Sequence, residues 1–308
     1  MRIGFLGNTE MLIPTLSYLA QTANLVAVGL WHKSAPLIGM QLRAANVPDE
    51  LIQVIPDADW QSRLTDWIQG KKIEVLLVFG FPYRIPQQVL AIPRYGFYNI
   101  HPGFLPKYRG ADPLFWQIAN GEPEIGICIH KMTHLLDAGP IVQQTQFVAN
   151  AMDNYGLVRK RVAFETVGLV KGWLEGLMND RLTERSQEPI ADIDFSKRPE
   201  ELDLRIKWQE QTALEIKSLI AATNPTYGGA SCYFGDMELR VLDMDIINFE
   251  NSRNYKAGEI VFSDALYGPV VACADGQFIR LLVVQLADGY FSGAKLFYLG
   301  IQQGHQLN

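Results

Sequence analysis

The stretch Ile73–Pro113, IEVLLVFGFPYRIPQQVLAIPRYGFYNIHPGFLPKYRGADP, decides the fold. It holds two short apolar runs, Val75–Phe79 and Gly96–Ile100, separated by a segment rich in turn residues. Continuous runs of this kind read as strands buried on both faces, the habit of a parallel sheet covered by helices. Toward the N-terminus, Met1–Gly7 reads as a buried strand, Met11–Gln21 as a helix and Asn24–Trp31 as a second strand. Gln41–Ala45 is weakly helical, and Asp59–Gln69 sets Trp60, Leu64, Trp67 and Ile68 at helical spacing. Toward the C-terminus, Ile125–Met132 and Ile141–Val148 form a strand pair, and Tyr155–Leu177 reads as one long helix. The alternation predicts an α/β class: a doubly wound, Rossmann-like N-terminal domain, with ligands beyond the strand C-termini.

The chemistry changes at Ser186–Leu204, SQEPIADIDFSKRPEELDL, which is polar, holds two prolines and carries no helical stripe. The linker is placed there, giving a catalytic domain over 1–185, a linker over 186–209 and a C-terminal helix plus barrel over 210–308. Glu210–Thr223 reads as a helix stopped by Asn224-Pro225. The β-rich runs Ala230–Phe234, Glu238–Met244, Glu259–Phe262, Val270–Ala274 and Phe278–Gln285 follow, with Gly-Asp, Tyr-Gly-Pro and Asp-Gly turns between them. That pattern predicts a small antiparallel, OB-like β-barrel.

The 308 residues carry 27 basic and 33 acidic side chains, a formal net charge of −6, with 48% hydrophobic and 19% charged residues. This is ordinary globular composition, and it supplies no global basic field for nucleic acid. MRIGFLGNTE begins a strand and lacks the regions of a signal peptide, and no apolar run is long enough to span a membrane, so a cytoplasmic location is expected. Cys128, Cys232 and Cys273 stand far apart and predict neither a disulfide framework nor a metal clip.

Several motifs compete for the chemistry. Gly4 and Gly7 in GFLGNTE fall short of G-x-G-x-x-G and read as a tight strand-to-helix turn. His130 and His134 have the spacing of a helical zinc pair, but the alternation in GICIHKM indicates a strand, where that spacing separates them. No metal site is expected. Asn99 and His101, two apart at a strand end, share a face if the strand persists. An amide beside an imidazole could bind a developing oxyanion and transfer a proton, or could be a structural pair. Asp137 in HLLDAG reads either as a turn cap or as a histidine's partner.

Asn99-Ile100-His101, then Leu105-Pro106 through Arg109-Gly110, then Asp137-Ala138-Gly139 together resemble the folate-dependent formyltransferases, which include the methionyl-tRNA, glycinamide ribonucleotide and sugar N-formyltransferases. Asn224-Pro225 before Gly228-Gly229-Ala230 resembles the opening of that family's C-terminal barrel, and Leu299-Gly300, Gln303-Gly304 and Leu307 its tail. The nearest likeness is to the sugar N-formyltransferases that modify UDP-4-amino-4-deoxy-L-arabinose. It rests on Phe81-Pro82-Tyr83-Arg84 and on Ser196-Lys197-Arg198-Pro199-Glu200 before Trp208. The usual N-x-H-G-S-L-L-P reads N-I-H-P-G-F-L-P here, so Pro102 removes one backbone donor.

The resemblance implies an enzyme that moves a formyl group from N10-formyltetrahydrofolate to a primary amine, without a metal. Asn99 and a protonated His101 would meet the oxyanion, and Asp137 would sustain the imidazolium and take the amine proton. The pterin would lie against Phe79, Phe81, Tyr83, Arg84, Ile85, Leu105, Leu135 and Leu136, while Lys107, Tyr108 and Arg109 are candidates for the acceptor. Members that act on initiator tRNA carry a glycine- and arginine/lysine-rich loop after the second strand. Here that stretch has only Lys33 and Arg43 as fixed cations. From Glu200 onward eight basic side chains face fourteen acidic ones, so this part holds essentially all the net negative charge. A nucleotide-linked amino sugar is therefore the expected acceptor, with methionyl-tRNA as the alternative. A hydrolase of the same folate and a non-catalytic folate-binding protein are the readings from other classes. The sequence leaves the oligomeric state open, a homodimer included.

Overall fold

The structure is a computed structural model that describes residues 1–188, 195–250 and 254–308. Its seven-stranded sheet holds β1 (Ile3–Gly7), β2 (Leu25–Trp31), β3 (Ile52–Ile55), β4 (Val75–Phe79), β5 (Phe97–His101), β6 (Glu124–Lys131) and β7 (Ile141–Val148). The order is β3-β2-β1-β4-β5-β6-β7. Strands β1 to β5 pair in parallel, and β6 runs antiparallel to β5. All five residues of β1 and of β4 are buried, which is why both read as unbroken apolar runs. The strand order reverses between β1 and β4, the kind of switch point beyond whose carboxyl ends such sheets hold their ligands.

Helices α1 (Ile13–Thr22), α2 (Ala35–Ala44), α3 (Trp60–Gly70), α4 (Gln87–Leu90), α5 (Pro113–Ala119) and α6 (Tyr155–Met178) follow in the same half. Helix α3 drives Leu64, Trp67 and Ile68 into a core with Leu6, Trp31, Leu76 and Phe97. Each such side chain contributes roughly 1.5–3 kcal/mol on burial. Tyr98 on β5 meets Trp173 of α6 edge-on at 5.4 Å. Helix α2 begins at Ala35, earlier than the weak helix expected from Gln41, because Ala35, Ile38, Gly39 and Leu42 form one buried stripe. Strand β3 was not expected at all. It lies at the sheet edge with Gln53 and Val54 exposed, so it carries no buried alternation.

Helix α7 (Ala213–Thr223) starts at a reciprocal capping box, Thr212 with Glu215, and stops before Asn224-Pro225. Then come β8 (Ala230–Phe234), β9 (Met237–Ile247), β10 (Ile260–Phe262), β11 (Val270–Ala272), β12 (Phe278–Leu286) and the unforeseen β13 (Gly289–Ser292). The antiparallel path is β10-β11-β12-β9-β8, with β13 on β12. The C-terminal tail bridges the two end strands. Tyr233 and Asn308 exchange both backbone bonds at 2.7 and 2.9 Å, while Ile260 donates to the His305 carbonyl at 2.8 Å. The antiparallel sheet thus closes through residues 305–308, the tail whose likeness was noted in sequence.

By contacts the chain forms two compact units, Met1–Pro113 with Glu124–Phe147 and Arg159–Ser196, and Leu114–Pro123 with Val148–Val158 and Lys197–Asn308. Of the expected linker, residues 189–194 lie outside the described residues. Cys128, Cys232 and Cys273 are buried free thiols, and burial pushes the latter two up to about 12. Among the described residues no helix is long and apolar enough to cross a membrane, and no three His, Cys, Asp or Glu side chains form a metal-binding group.

Candidate active site

Strand β5 ends in Asn99 and His101 on one face, as their spacing requires. Opposite them, in antiparallel register, Asn99 faces His130 of β6. The turn after β6 then brings Asp137 back over the pair. Its Oδ2 lies 3.8 Å from Nδ1 of His101, and its Oδ1 3.4 Å from Nε2 of His130 and 3.5 Å from Nδ2 of Asn99. His101, His130 and Asp137 are 3%, 2% and 8% exposed, so all of this happens out of bulk water.

Two close backbone approaches fix the geometry. Asp137 sits at φ 47, in the left-handed region that aspartate tolerates better than most residues. A Cβ on Gly139 would stand 1.8 Å from the Lys131 carbonyl oxygen, so the turn closes against β6 only with glycine there. Gly110, at φ 109, passes so close to Ser196 that a Cβ would lie 2.2 Å from its carbonyl oxygen, and its N–H donates to Asp137 Oδ2 at 3.0 Å.

Burial raises the Asp137 carboxyl, but the neighbouring His101 and His130 rings and the donating Gly110 N–H outweigh it, and the net direction is down. The carboxylate is held well below its usual range and is ionised at neutral pH. Burial lowers the His101 imidazole; Asp137 opposes this, His130 adds to it and the Tyr108 carbonyl opposes it, and the net direction is down. That direction favours the neutral form of the ring. Its Nε2–H donates to the Tyr108 carbonyl at 2.8 Å, which leaves Nδ1 as a proton acceptor facing Asp137. Such a ring can collect a proton and have the resulting charge matched at once by the carboxylate.

The other expected residues are placed as follows. Arg109 is only 6% exposed, and its Nε and Nη2 donate to Oε1 of Gln187 at 3.0 and 2.6 Å. Gln187 in turn donates through Nε2 to the carbonyls of Asp137 and Gly139 at 2.8 and 2.7 Å. Arg109 thus supports the Asp137 turn through Gln187. Tyr108, at φ 64, is buried and gives its carbonyl to His101, while Lys107 lies over the Tyr108 ring at 4.9 Å. Phe79, Ile85 and Leu105 are buried in the fold. Phe81 and Tyr83 pack against Trp31 and Trp60, with Tyr83 stacked on Trp60 at 5.2 Å and bonded to Asp57 at 2.6 Å.

Leu135 and Leu136 stand 54% and 47% exposed immediately before Asp137. Arg84 donates to the His134 carbonyl at 2.6 Å, which ties the loop after β4 to this segment. Two exposed leucines beside a buried carboxylate, with an aromatic-rich loop joined to them, suit a flat, partly apolar ligand. Sequence reasoning missed His130 and Gln187. His130 was weighed only with His134, whose side chain is exposed, and nothing local marks an amide in a linker-like segment.

Two family descriptions match the chain: formyl transferase over residues 6–171, and formyl transferase C-terminal domain over residues 200–302. Methionyl-tRNA formyltransferase of Thermotoga maritima is 27% identical over 257 residues, 80% of each chain, and that of Borrelia hermsii 28% over 306 residues, 97% of each. Among solved structures, WlaRD, a sugar 3N-formyl transferase, shares the fold at TM-score 0.65 and 16% identity, covering 94% of this chain and 98% of its own. HypX from Aquifex aeolicus, solved with tetrahydrofolic acid, aligns at TM-score 0.63 and 17% identity over 96% of this chain, which spans 47% of HypX.

Proposed function

The chain belongs to the formyl transferase family, and from that premise we propose that its acceptor is the primary amine of a small nucleotide-linked amino sugar. The enzyme transfers a formyl group from formyl-tetrahydrofolate, as its family does. What carries the acceptor reading is the charge of the C-terminal part, eight basic against fourteen acidic side chains from Glu200 onward. Cations there are also engaged within the fold. Arg240 pairs with Glu201 and Glu238 at 2.6 and 2.8 Å, and Arg280 donates to the Tyr267 carbonyl at 2.8 Å and lies over its ring. A tRNA acceptor needs phosphate neutralisation, which such a surface supplies poorly. WlaRD and the Helicobacter canadensis N-formyltransferase, solved with dTDP-3-aminofucose, carry the same fold with sugar acceptors.

The folate supplies an activated one-carbon unit; the chain's residues do the rest. Asn99 donates an N–H toward the formyl oxygen as negative charge gathers there. As the amine nitrogen bonds to the formyl carbon, His101 takes up its proton at Nδ1, with Asp137 stabilising the imidazolium; the bond from that carbon to the folate nitrogen then breaks, and the proton leaves with tetrahydrofolate. The aromatic loop after β4, with Leu135 and Leu136, covers the donor and excludes water. Lys107, exposed beyond β5, remains a candidate for the acceptor.

A second reading, formyl transfer to methionyl-tRNA, is favoured by the curated relatives at 27–28% identity. One experiment separates the two: formyl-tetrahydrofolate with a panel of nucleotide-linked amino sugars beside charged methionyl-tRNA, with the formylated product read by mass. Product on a sugar alone supports the proposal, and product on methionyl-tRNA alone overturns it.

A further inference from the structure

We infer that His130 is a positioning residue that fixes which way the Asn99 carboxamide points; this rests on the reading of Asn99 as the oxyanion donor. Asn99 and His130 are directly opposed across the β5–β6 ladder, so a rigid sheet and not a mobile loop sets their relation. Nδ1 of His130 lies 3.1 Å from the carbonyl oxygen of Lys131. A carbonyl only accepts, so Nδ1 carries the hydrogen in the neutral ring and Nε2 is left as an acceptor. Nε2 stands 3.2 Å from Nδ2 of Asn99. The carboxamide must therefore turn its NH₂ and not its oxygen toward this histidine.

The consequence reaches the chemistry. An NH₂ has two hydrogens. One is committed to His130, and the group's contact with Asp137 Oδ1 is only 3.5 Å, the limit of a hydrogen bond. That weak contact is the one surrendered when charge appears on a formyl oxygen. The opposite state of His130 shows why its tautomer matters. A hydrogen on Nε2 would donate to Asp137 Oδ1, 3.4 Å away, and would repel the Asn99 NH₂. The amide would then present its oxygen, and an acceptor cannot stabilise an oxyanion. The charged or titratable groups facing His130 are Asp137 from the turn and His101 from β5, its ring 6.1 Å away centre to centre. Of the two acceptors at the Asn99 NH₂, His130 Nε2 at 3.2 Å is nearer than Asp137 Oδ1 at 3.5 Å.

The full-length chain labelled with ¹⁵N at histidine and asparagine tests this without turnover. The long-range imidazole spectrum at pH 7.5 is expected to show His130 with hydrogen on Nδ1 and a free, acceptor-type Nε2. Replacing Asn99 by Ala is expected to move the Nε2 resonance, and His130→Leu is expected to collapse the separation between the two Asn99 amide protons. An Nε2–H tautomer, an imidazolium, or an Asn99 signal indifferent to His130→Leu overturns the inference. His130→Gln, whose side-chain oxygen can also accept, covers the chance that leucine disturbs the fold; it is expected to restore the amide separation, and a failure to restore it in a natively folded variant counts against the proposal. In the transfer assay His130→Leu is expected to lower kcat about 10²-fold at unchanged KM, with no further loss in an Asn99→Ala background. Additive losses overturn the coupling. A fully active Asn99→Ala would instead refute the oxyanion assignment, while the tautomer would still be read independently.

Discussion

Gln187 takes two hydrogen bonds from the buried Arg109 guanidinium on its oxygen and gives two from its nitrogen to the carbonyls of Asp137 and Gly139. One side chain thus joins the loop after β5 to the turn that carries the carboxylate. Gln187→Leu leaves a buried guanidinium and two carbonyls without these partners. Hydrogen bonds to charged groups contribute about 1.5–3 kcal/mol each, so the variant is expected to lose on that order of stability, read as a lower denaturant midpoint. Gln187→Glu is expected to do no better. It regains the Arg109 contact but sets a carboxylate against two carbonyl oxygens.

The neighbouring carboxylate is expected to matter to rate more than to fold. Asp137→Asn and His101→Ala should each keep the native circular dichroism spectrum and lose about 10²–10⁴ in single-turnover rate, the usual worth of a positioned proton-transfer group. A variant that turns over at the wild-type rate removes its residue from the proposed chemistry.

Protonation of His101 also links stability to pH, with a definite sign. Burial lowers the folded imidazole below its unfolded value of about 6.5, so the unfolded chain binds the proton more readily. The His101 contribution is flat above that value and turns unfavourable as pH falls below it. Asp137 behaves differently: its folded carboxyl is depressed, so its stabilisation holds above an unfolded value of about 3.9 and is lost only as pH falls through the folded one. Between pH 7 and 5 the wild type is therefore expected to lose stability more steeply than His101→Asn. Parallel denaturation curves for the two proteins across that window would contradict the assignment.

Legibility in the sequence followed how local each signal was. Val75–Phe79 and the Asn99–His101 strand end could be read directly, because a buried strand declares itself by unbroken apolar residues and by a period of two. Strand β3 could not, since an exposed edge has no such pattern. Arg109 looked like an acceptor contact because a loop arginine before glycine carries no mark of burial. The partner of its guanidinium, Gln187, lies seventy-eight positions on and is invisible from the loop alone. His130 was misread for a related reason. Its informative neighbour is Asn99, thirty-one positions away and opposite it in the sheet, and not His134 four positions on. Antiparallel register is a property of two strands together, and one strand's residues do not encode it.

Acceptor choice yields a last expectation that needs no variant. A protein that neutralises six to ten phosphates loses about 10³–10⁵ in affinity between 50 and 200 mM salt, because each neutralised phosphate releases a counterion. The C-terminal part carries an excess of acidic side chains, and Arg240 is already held by Glu201 and Glu238. A small nucleotide-linked amine presents two phosphates at most, so its kcat/KM is expected to fall by less than about tenfold over that range. Measuring kcat/KM against potassium chloride for whichever acceptor is formylated gives the slope. A steep, many-charge dependence would mean that a polyanion binds here, and the acidic surface would then have to lie away from the acceptor's path.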